Sequence, residues 1–221
     1  MTSLYPVFSF LSELQSNNNR AWFHANKARY ENTVKLPFEA FVTTLIEGLQ
    51  VHDPSIRTTA KESIFRINRD TRFSADKSPY KTNVGALISR YGRKNKLYPG
   101  FYIHLEPGSL MVGGGAYFLD RPNIEKIREA IFTQQEDWTT VTHAPDFQRL
   151  FGDILGERAK RIPKHLSAIA QEHPEIANKQ FYYSTHYPAT ECNRPDIAAM
   201  VLDHFKAAAP VNAFLAAAMQ D

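Results

Sequence analysis

The apolar residues of this chain change their spacing twice, and no other feature constrains the fold as much. Up to Glu62 they recur every three or four residues, as on one face of a helix. Phe8, Leu11 and Leu14 open that pattern, which stops at Ser16-Asn17-Asn18-Asn19, short polar residues suited to caps and turns. A second helix is expected from Arg20, burying Phe23, Tyr30 and Val34. A third should have Pro37 in its first turn, where the missing N–H costs nothing, and Phe38, Phe41, Val42, Leu45 and Leu49 along one stripe. Asp53-Pro54 ends it.

From Ser63 the spacing drops to two. Ser63–Asn68 reads as a strand with Phe65 and Ile67 on one face, Thr71–Thr82 as an ordered loop, and Val84–Ser89, Phe101–Glu106 and Leu110–Tyr117 as three more strands. The connections, a basic turn Arg90–Lys96 and Pro107-Gly108, are too short for crossover helices and predict antiparallel pairing. Helical spacing returns near Pro122 with Ile124, Ile127 and Ile131. Shorter helical patches follow around Asp146–Phe151 and Pro163–Glu172, and Gln180–Tyr187 is a further candidate strand. Two last helices are marked by Ile197, Met200, Val201 and Phe205, and by Val211, Phe214, Leu215 and Ala218. Helices, a strand meander, then helices predict an α+β fold. Its antiparallel sheet of at least four strands lies in about residues 63–117, with 180–187 as a candidate addition. The 221 residues form a single domain in this reading, helical over 1–54 and mainly helical over 122–221.

A chain of this length buries roughly 70% of its unfolded surface and needs no covalent staple. Cys192 is the only cysteine, so no disulfide closes within the chain and a reducing compartment is expected. The opening MTSLYPVFSF has neither a basic region nor a long apolar run, and no stretch approaches the ~20 apolar residues of a membrane span. A cytoplasmic protein without membrane association is the expectation. Net charge is +3, distributed unevenly: between Lys61 and Lys96 stand ten Lys or Arg against three Asp or Glu, which leaves the rest of the chain at −4. A basic segment on a mildly acidic chain fits an anionic small molecule or nucleotide better than a general nucleic-acid coat.

That surplus centres on Phe65-Arg66-Ile67-Asn68-Arg69-Asp70-Thr71-Arg72-Phe73-Ser74-Ala75-Asp76-Lys77-Ser78-Pro79-Tyr80-Lys81. Guanidinium forks suit phosphate or carboxylate, and lysines add point charges. Arg66, Arg69, Arg72, Lys77, Tyr80 and Lys81 are the candidate ligand-binding residues, with Arg66, Arg69, Lys77 and Lys81 expected around one concave site. Asp70 and Asp76 support them by holding arginine forks in register. The competing reading is a structural ion-pair knot, in which those two aspartates pair with Arg66, Arg69 or Arg72 and pin the loop. Ser78-Pro79-Tyr80-Lys81 fits the S-x-x-K pattern of serine acyl-enzymes, but K-T-G has only Lys81-Thr82-Asn83 as its nearest counterpart.

Tyr102, His104 and Glu106 alternate along one strand and share a face, which places His104 and Glu106 as supporting neighbours of the basic segment. His104-Leu105-Glu106 resembles the start of a zinc-deaminase motif, yet the P-C-x-x-C it requires needs more than one cysteine, and no metal is expected. Gly113-Gly114-Gly115 fits no phosphate-loop pattern and reads as a close backbone approach in a strand. Trp22, Phe23 and Tyr30 fall at helical spacing as core residues. Cys192, in Thr190-Glu191-Cys192-Asn193, has no basic residue immediately before it and is expected to be inert.

Three blocks together resemble a bacterial family of unknown function: Asn18-Asn19-Arg20-Ala21-Trp22-Phe23, then Phe65–Lys81, then Tyr102-Ile103-His104-Leu105-Glu106 with the downstream glycines. The likeness covers roughly the first 130 residues. It implies no activity, cofactor or oligomeric state, and it sets Arg20, Arg66, Arg69, Asp70, Arg72, Asp76, Lys77, Tyr80 and Lys81 in the family's characteristic blocks. A binding module for an anionic ligand, an enzyme acting on such a ligand, and a purely structural segment are the three functional readings.

Overall fold

The computed structural model describes residues 3–220. Helices α1 (Tyr5–Ser16), α2 (Arg20–Ala25), α3 (Lys27–Tyr30) and α4 (Leu36–Gln50) come first. The apolar stripe buries Val7, Phe8, Phe10, Leu11 and Leu14 of α1, and Phe38, Phe41, Val42, Leu45, Ile46 and Leu49 of α4. Between α3 and α4 the backbone widens into a π turn, Glu31–Lys35, where the Leu36 N–H donates to the Glu31 carbonyl. Pro37 follows at once; a residue without an N–H cannot continue the regular ladder, and the wide turn absorbs the misfit. A short α5 (Ala60–Ser63) is closed by a capping box between Thr59 and Glu62.

Four antiparallel strands form one sheet in the order β1 (Val84–Ile88), β2 (Gly100–Glu106), β3 (Ser109–Ala116) and β4 (Phe181–Pro188). The α+β class and the helices at both ends of the chain agree with the periodicity. The expected first strand does not form. Ser63 ends α5, and Ile64–Asn68 pairs only through isolated bridges, Ile64 with Ala86 and Asn68 with Tyr80. Backbone hydrogen bonds Phe65 N to Gly85 O, Lys81 N to Ile67 O and Arg69 N to Pro79 O keep the path antiparallel. The two bridges are out of register with each other by two residues, so no continuous ladder joins them. The fourth strand is therefore β4, supplied from far along the chain.

After β3 come α6 (Arg121–Thr133), α7 (Gln135–Thr142) and α8 (Pro145–Phe151), then single 3-10 turns at Lys164–Leu166 and Ile169–Gln171 where one patch was expected to be helical. The two expected terminal helices are a single one, α9 (Ile197–Ala218), with Pro210 inside it. Alanines dominate both sides of Pro210, and their helix propensity carries the helix past one lost hydrogen bond.

The chain divides into two compact units. The first comprises Met1–Arg93, Tyr102–Val112 and His186–Leu202; the second comprises Lys94–Phe101, Gly113–Thr185 and Asp203–Asp221. In the first, α1 and α4 pack their apolar stripes inward. Cys192 is fully buried there, and burial pushes its thiol up to about 12, so it is neither ionised nor paired. In the second, Trp138 is buried and its indole N–H donates to Glu175 Oε1 at 2.6 Å, while Phe147 and Phe151 pack on Tyr183. Arg128, also buried, donates to the carbonyls of Ala177 and Asn178 at 3.1 and 3.0 Å.

Candidate functional site

The basic block forms a braced loop. At its base, Arg69 Nη1 donates to Asp76 and, at 2.7 Å, to Ser78 Oγ, while Nη2 reaches Ser74 Oγ at 3.4 Å. Asp76 Oδ1 in turn accepts from the Ser78 backbone N–H at 2.9 Å and from its hydroxyl at 2.7 Å. This Asx turn, reinforced by the Arg69 fork, holds the Asp76 carboxyl at about 2, well below the usual carboxylate range. Across the loop, Lys77 Nζ donates to the Thr71 carbonyl at 2.9 Å. Arg72 closes a fork on its neighbour Asp70, with Nε and Nη2 at 3.0 and 2.7 Å from the two carboxylate oxygens. That fork, with the Arg72 backbone N–H and the nearby Arg66 charge, lowers the Asp70 carboxyl to about 2. Ser78 is thus committed to Asp76 and Arg69.

A second block of the sequence anchors this loop from the helical side. The Asn18 side chain donates through Nδ2 to the Tyr80 carbonyl at 2.9 Å and accepts from the Tyr80 N–H at 3.1 Å. A side-chain amide here plays the part of a neighbouring strand, satisfying both backbone groups of Tyr80. Tyr80 is buried and stacks on Phe23 with ring centroids 3.9 Å apart and planes 19° from parallel. Asn19 caps α2, accepting from the Trp22 N–H at 2.9 Å. Asn18, Asn19 and Phe23 therefore matter to the loop although some fifty residues of chain separate them from it.

Between these two blocks lies a cleft of about 660 Å³. Asn18, Asn19 and Arg20 line one side, Asn68, Arg69 and Thr71 another, and Lys77, Ser78, Pro79 and Tyr80 complete it. Three cations face it and none of the lining residues is acidic. Of the candidate ligand-binding residues, Arg69, Lys77 and Tyr80 share the cleft, while Arg66, Arg72 and Lys81 are not among its lining. Arg66 is exposed. Arg72 projects into solvent with its side chain 76% exposed and its guanidinium 5.8 Å from the Phe73 ring centroid. Lys81 lies over the Phe65 ring at 5.6 Å, on the side of His104. Arg20 joins the cleft although its charge lies outside the basic segment. Its place in the Asn18–Phe23 block, one of the three that carry the family resemblance, is the sequence signal that singles it out.

On β2 the three alternating residues form a chain of contacts. Tyr102 Oη is 3.1 Å from His104 Nδ1, and His104 Nε2 is 3.4 Å from Glu106 Oε2. A carboxylate only accepts, so the neutral ring keeps its proton on Nε2 and takes the Tyr102 hydroxyl hydrogen at Nδ1. Burial lowers the His104 pKa against the pull of Glu106, with His186 and Lys81 adding to the lowering. Burial and the Glu106 charge push the Tyr102 phenol up to about 12. His104 and Glu106 thus sit near Lys81 but are not among the residues lining the cleft.

The profile of a conserved hypothetical protein family, DUF2461, matches residues 6–214, and the chain belongs to that family. No curated protein and no solved structure matches it. Among the described residues no helix is long and apolar enough to cross a membrane.

Proposed function

We propose that the protein binds a phosphate-bearing or similarly anionic ligand in the cleft between Asn18–Arg20 and the loop Arg69–Ser78. One observation carries this reading: Arg20, Arg69 and Lys77 face the same cleft and no carboxylate lines it. Asp76 offsets Arg69 from behind, which leaves Arg20 and Lys77 as the uncompensated charges. Lys77 spends one hydrogen on Thr71 and keeps two for a ligand. Amides of Asn19 and Asn68 add neutral donors to the cleft. Arg72 and Asp70 are the structural part of the segment in this reading, and Lys81 belongs to the sheet side.

Thermal denaturation with phosphate, sulfate and nucleotides tests it. A ligand at ~100 times its Kd stabilises the fold by about 2.7 kcal/mol. Arg20→Ala and Lys77→Ala are expected to stay folded and lose the shift, whereas Lys81→Ala keeps it. If no anion shifts the wild type, the segment is the structural knot. The alternative that the protein acts chemically on such a ligand draws on the Tyr102–His104–Glu106 chain. It requires turnover that disappears in His104→Gln while anion binding persists.

A further inference from the structure

Phe73 sits at the tip of the braced loop with 95% of its surface exposed. A large apolar ring this exposed is unusual on a chain whose other phenylalanines are mostly buried. The loop holds it there. Below it, Arg69 clasps Asp76, Ser78 and Ser74, and Lys77 ties to Thr71, so hydrogen bonds join the two sides of the loop beneath the ring. Beside it, Arg72 is fixed by its fork on Asp70 and keeps its guanidinium 5.8 Å from the ring centroid. The result is an aromatic face flanked by a cation.

Thr71 lines the cleft, and Phe73 is only two residues further along the chain, a reach of at most about 7 Å. A basic cleft that takes phosphate beside a presented aromatic ring is the pairing used to hold nucleotides, where the charge takes the backbone and the ring stacks the base. Resting on the anion reading of the cleft, we infer that the ligand is a nucleoside phosphate, free or within a single strand. Its phosphate lies against Arg20 and Lys77 and its base stacks on Phe73. Membrane insertion fits the tip less well. Phe73 stands between Arg72 and Ser74 with no second apolar side chain beside it until Ala75, and binding to a bilayer scales with buried apolar area.

The test compares ligands of equal charge with and without bases. Fluorescence anisotropy would follow a labelled oligothymidylate of about ten nucleotides and an abasic strand of the same length, with a mononucleotide and inorganic polyphosphate as competitors. Wild type, Phe73→Ala, Phe73→Trp and Arg20→Ala are the proteins. Phe73→Ala is expected to weaken the base-bearing strand roughly 5- to 100-fold and leave the abasic strand unchanged, with Phe73→Trp restoring binding. Arg20→Ala is expected to weaken both strands. Competition by the mononucleotide at the strand's own affinity assigns a free nucleotide; a strand that binds far more tightly assigns the polymer. Equal wild-type affinity for the two strands, with no effect of Phe73→Ala, overturns the stacking inference and leaves the anion reading intact. Absence of binding to every phosphate ligand removes both. Loss in Phe73→Ala confined to phosphatidylserine vesicles assigns the tip to a membrane and overturns the inference.

Discussion

The loop Arg69–Ser78 and the run Gly113-Gly114-Gly115 are both conspicuous in the sequence, yet they are held by opposite means. The loop is fixed by charge-assisted hydrogen bonds at the surface: Arg69 on Asp76, Asp76 on the Ser78 N–H, Arg72 on Asp70. The glycine run is fixed by contact. A Cβ at Gly114 would lie 2.4 Å from Tyr183 Oη and 2.5 Å from the Gly100 carbonyl, and at Gly115 it would lie 2.3 Å from the Phe181 carbonyl. The glycines leave room for β4 and Tyr183, so they build the core and leave no opening for a ligand. Polar side chains that brace a loop can still turn spare donors to a ligand; glycines buried under a neighbouring strand cannot.

The largest expected effect breaks the packed side of this comparison. Gly115 has φ +102, a left-handed conformation, and its neighbours are backbone atoms that cannot swing aside. Gly115→Ala should therefore cost about 3 kcal/mol or more, strain and overpacking together, read as a lower midpoint of urea unfolding at unchanged slope. A change within 0.5 kcal/mol of wild type would mean that β3 and β4 are looser than the geometry states.

Asn18→Ala comes next. It removes both hydrogen bonds to the Tyr80 backbone and should cost about 1–3 kcal/mol, with the loop more open to protease than the rest of the chain. Asn18→Asp sharpens the point, since a carboxylate cannot donate to the Tyr80 carbonyl and should restore only part of the loss.

Acid separates the two regions without a mutation. Asp70 and Asp76 have carboxyls near 2 when folded, against an unfolded value of about 4. Their contribution is fully present above about pH 4 and is lost as the pH falls through 2. Carboxyl chemical shifts followed by NMR should show both midpoints near 2, and Ser78→Ala should move Asp76 up towards its ordinary value while Asp70 stays. Midpoints at the ordinary aspartate value would undo the brace. The glycine run, having no charge, should show no local change over that range.

The smallest effect is expected at the most exposed residue. Phe73→Ala should leave the unfolding midpoint within about 0.5 kcal/mol of wild type, because the ring is 95% exposed and touches little that it stabilises. A clear destabilisation would show that the ring packs against the loop in solution.

The class of fold is legible in the spacing of apolar residues, because burial of one face forces a period and the period is visible residue by residue. Phe38, Phe41, Val42, Leu45 and Leu49 announce α4, and the alternation over Phe101–Glu106 announces β2. The sequence also located the charged block, while leaving open which of Arg66, Arg69 and Arg72 pairs with Asp70 and Asp76. Features that depend on distant parts of the chain are settled by long-range packing. Ser63–Asn68 has the composition of a strand, but its two bridges lie out of register with each other, and β4 completes the sheet instead. Four basic residues expected around one site are parted, Arg69 and Lys77 into the cleft and Lys81 towards His104, while Arg20 arrives from a helix. Local spacing fixes which face a side chain takes within its own element. Which faces then meet depends on long-range contacts such as Asn18 with Tyr80, whose hydrogen bonds form only once some sixty intervening residues have folded.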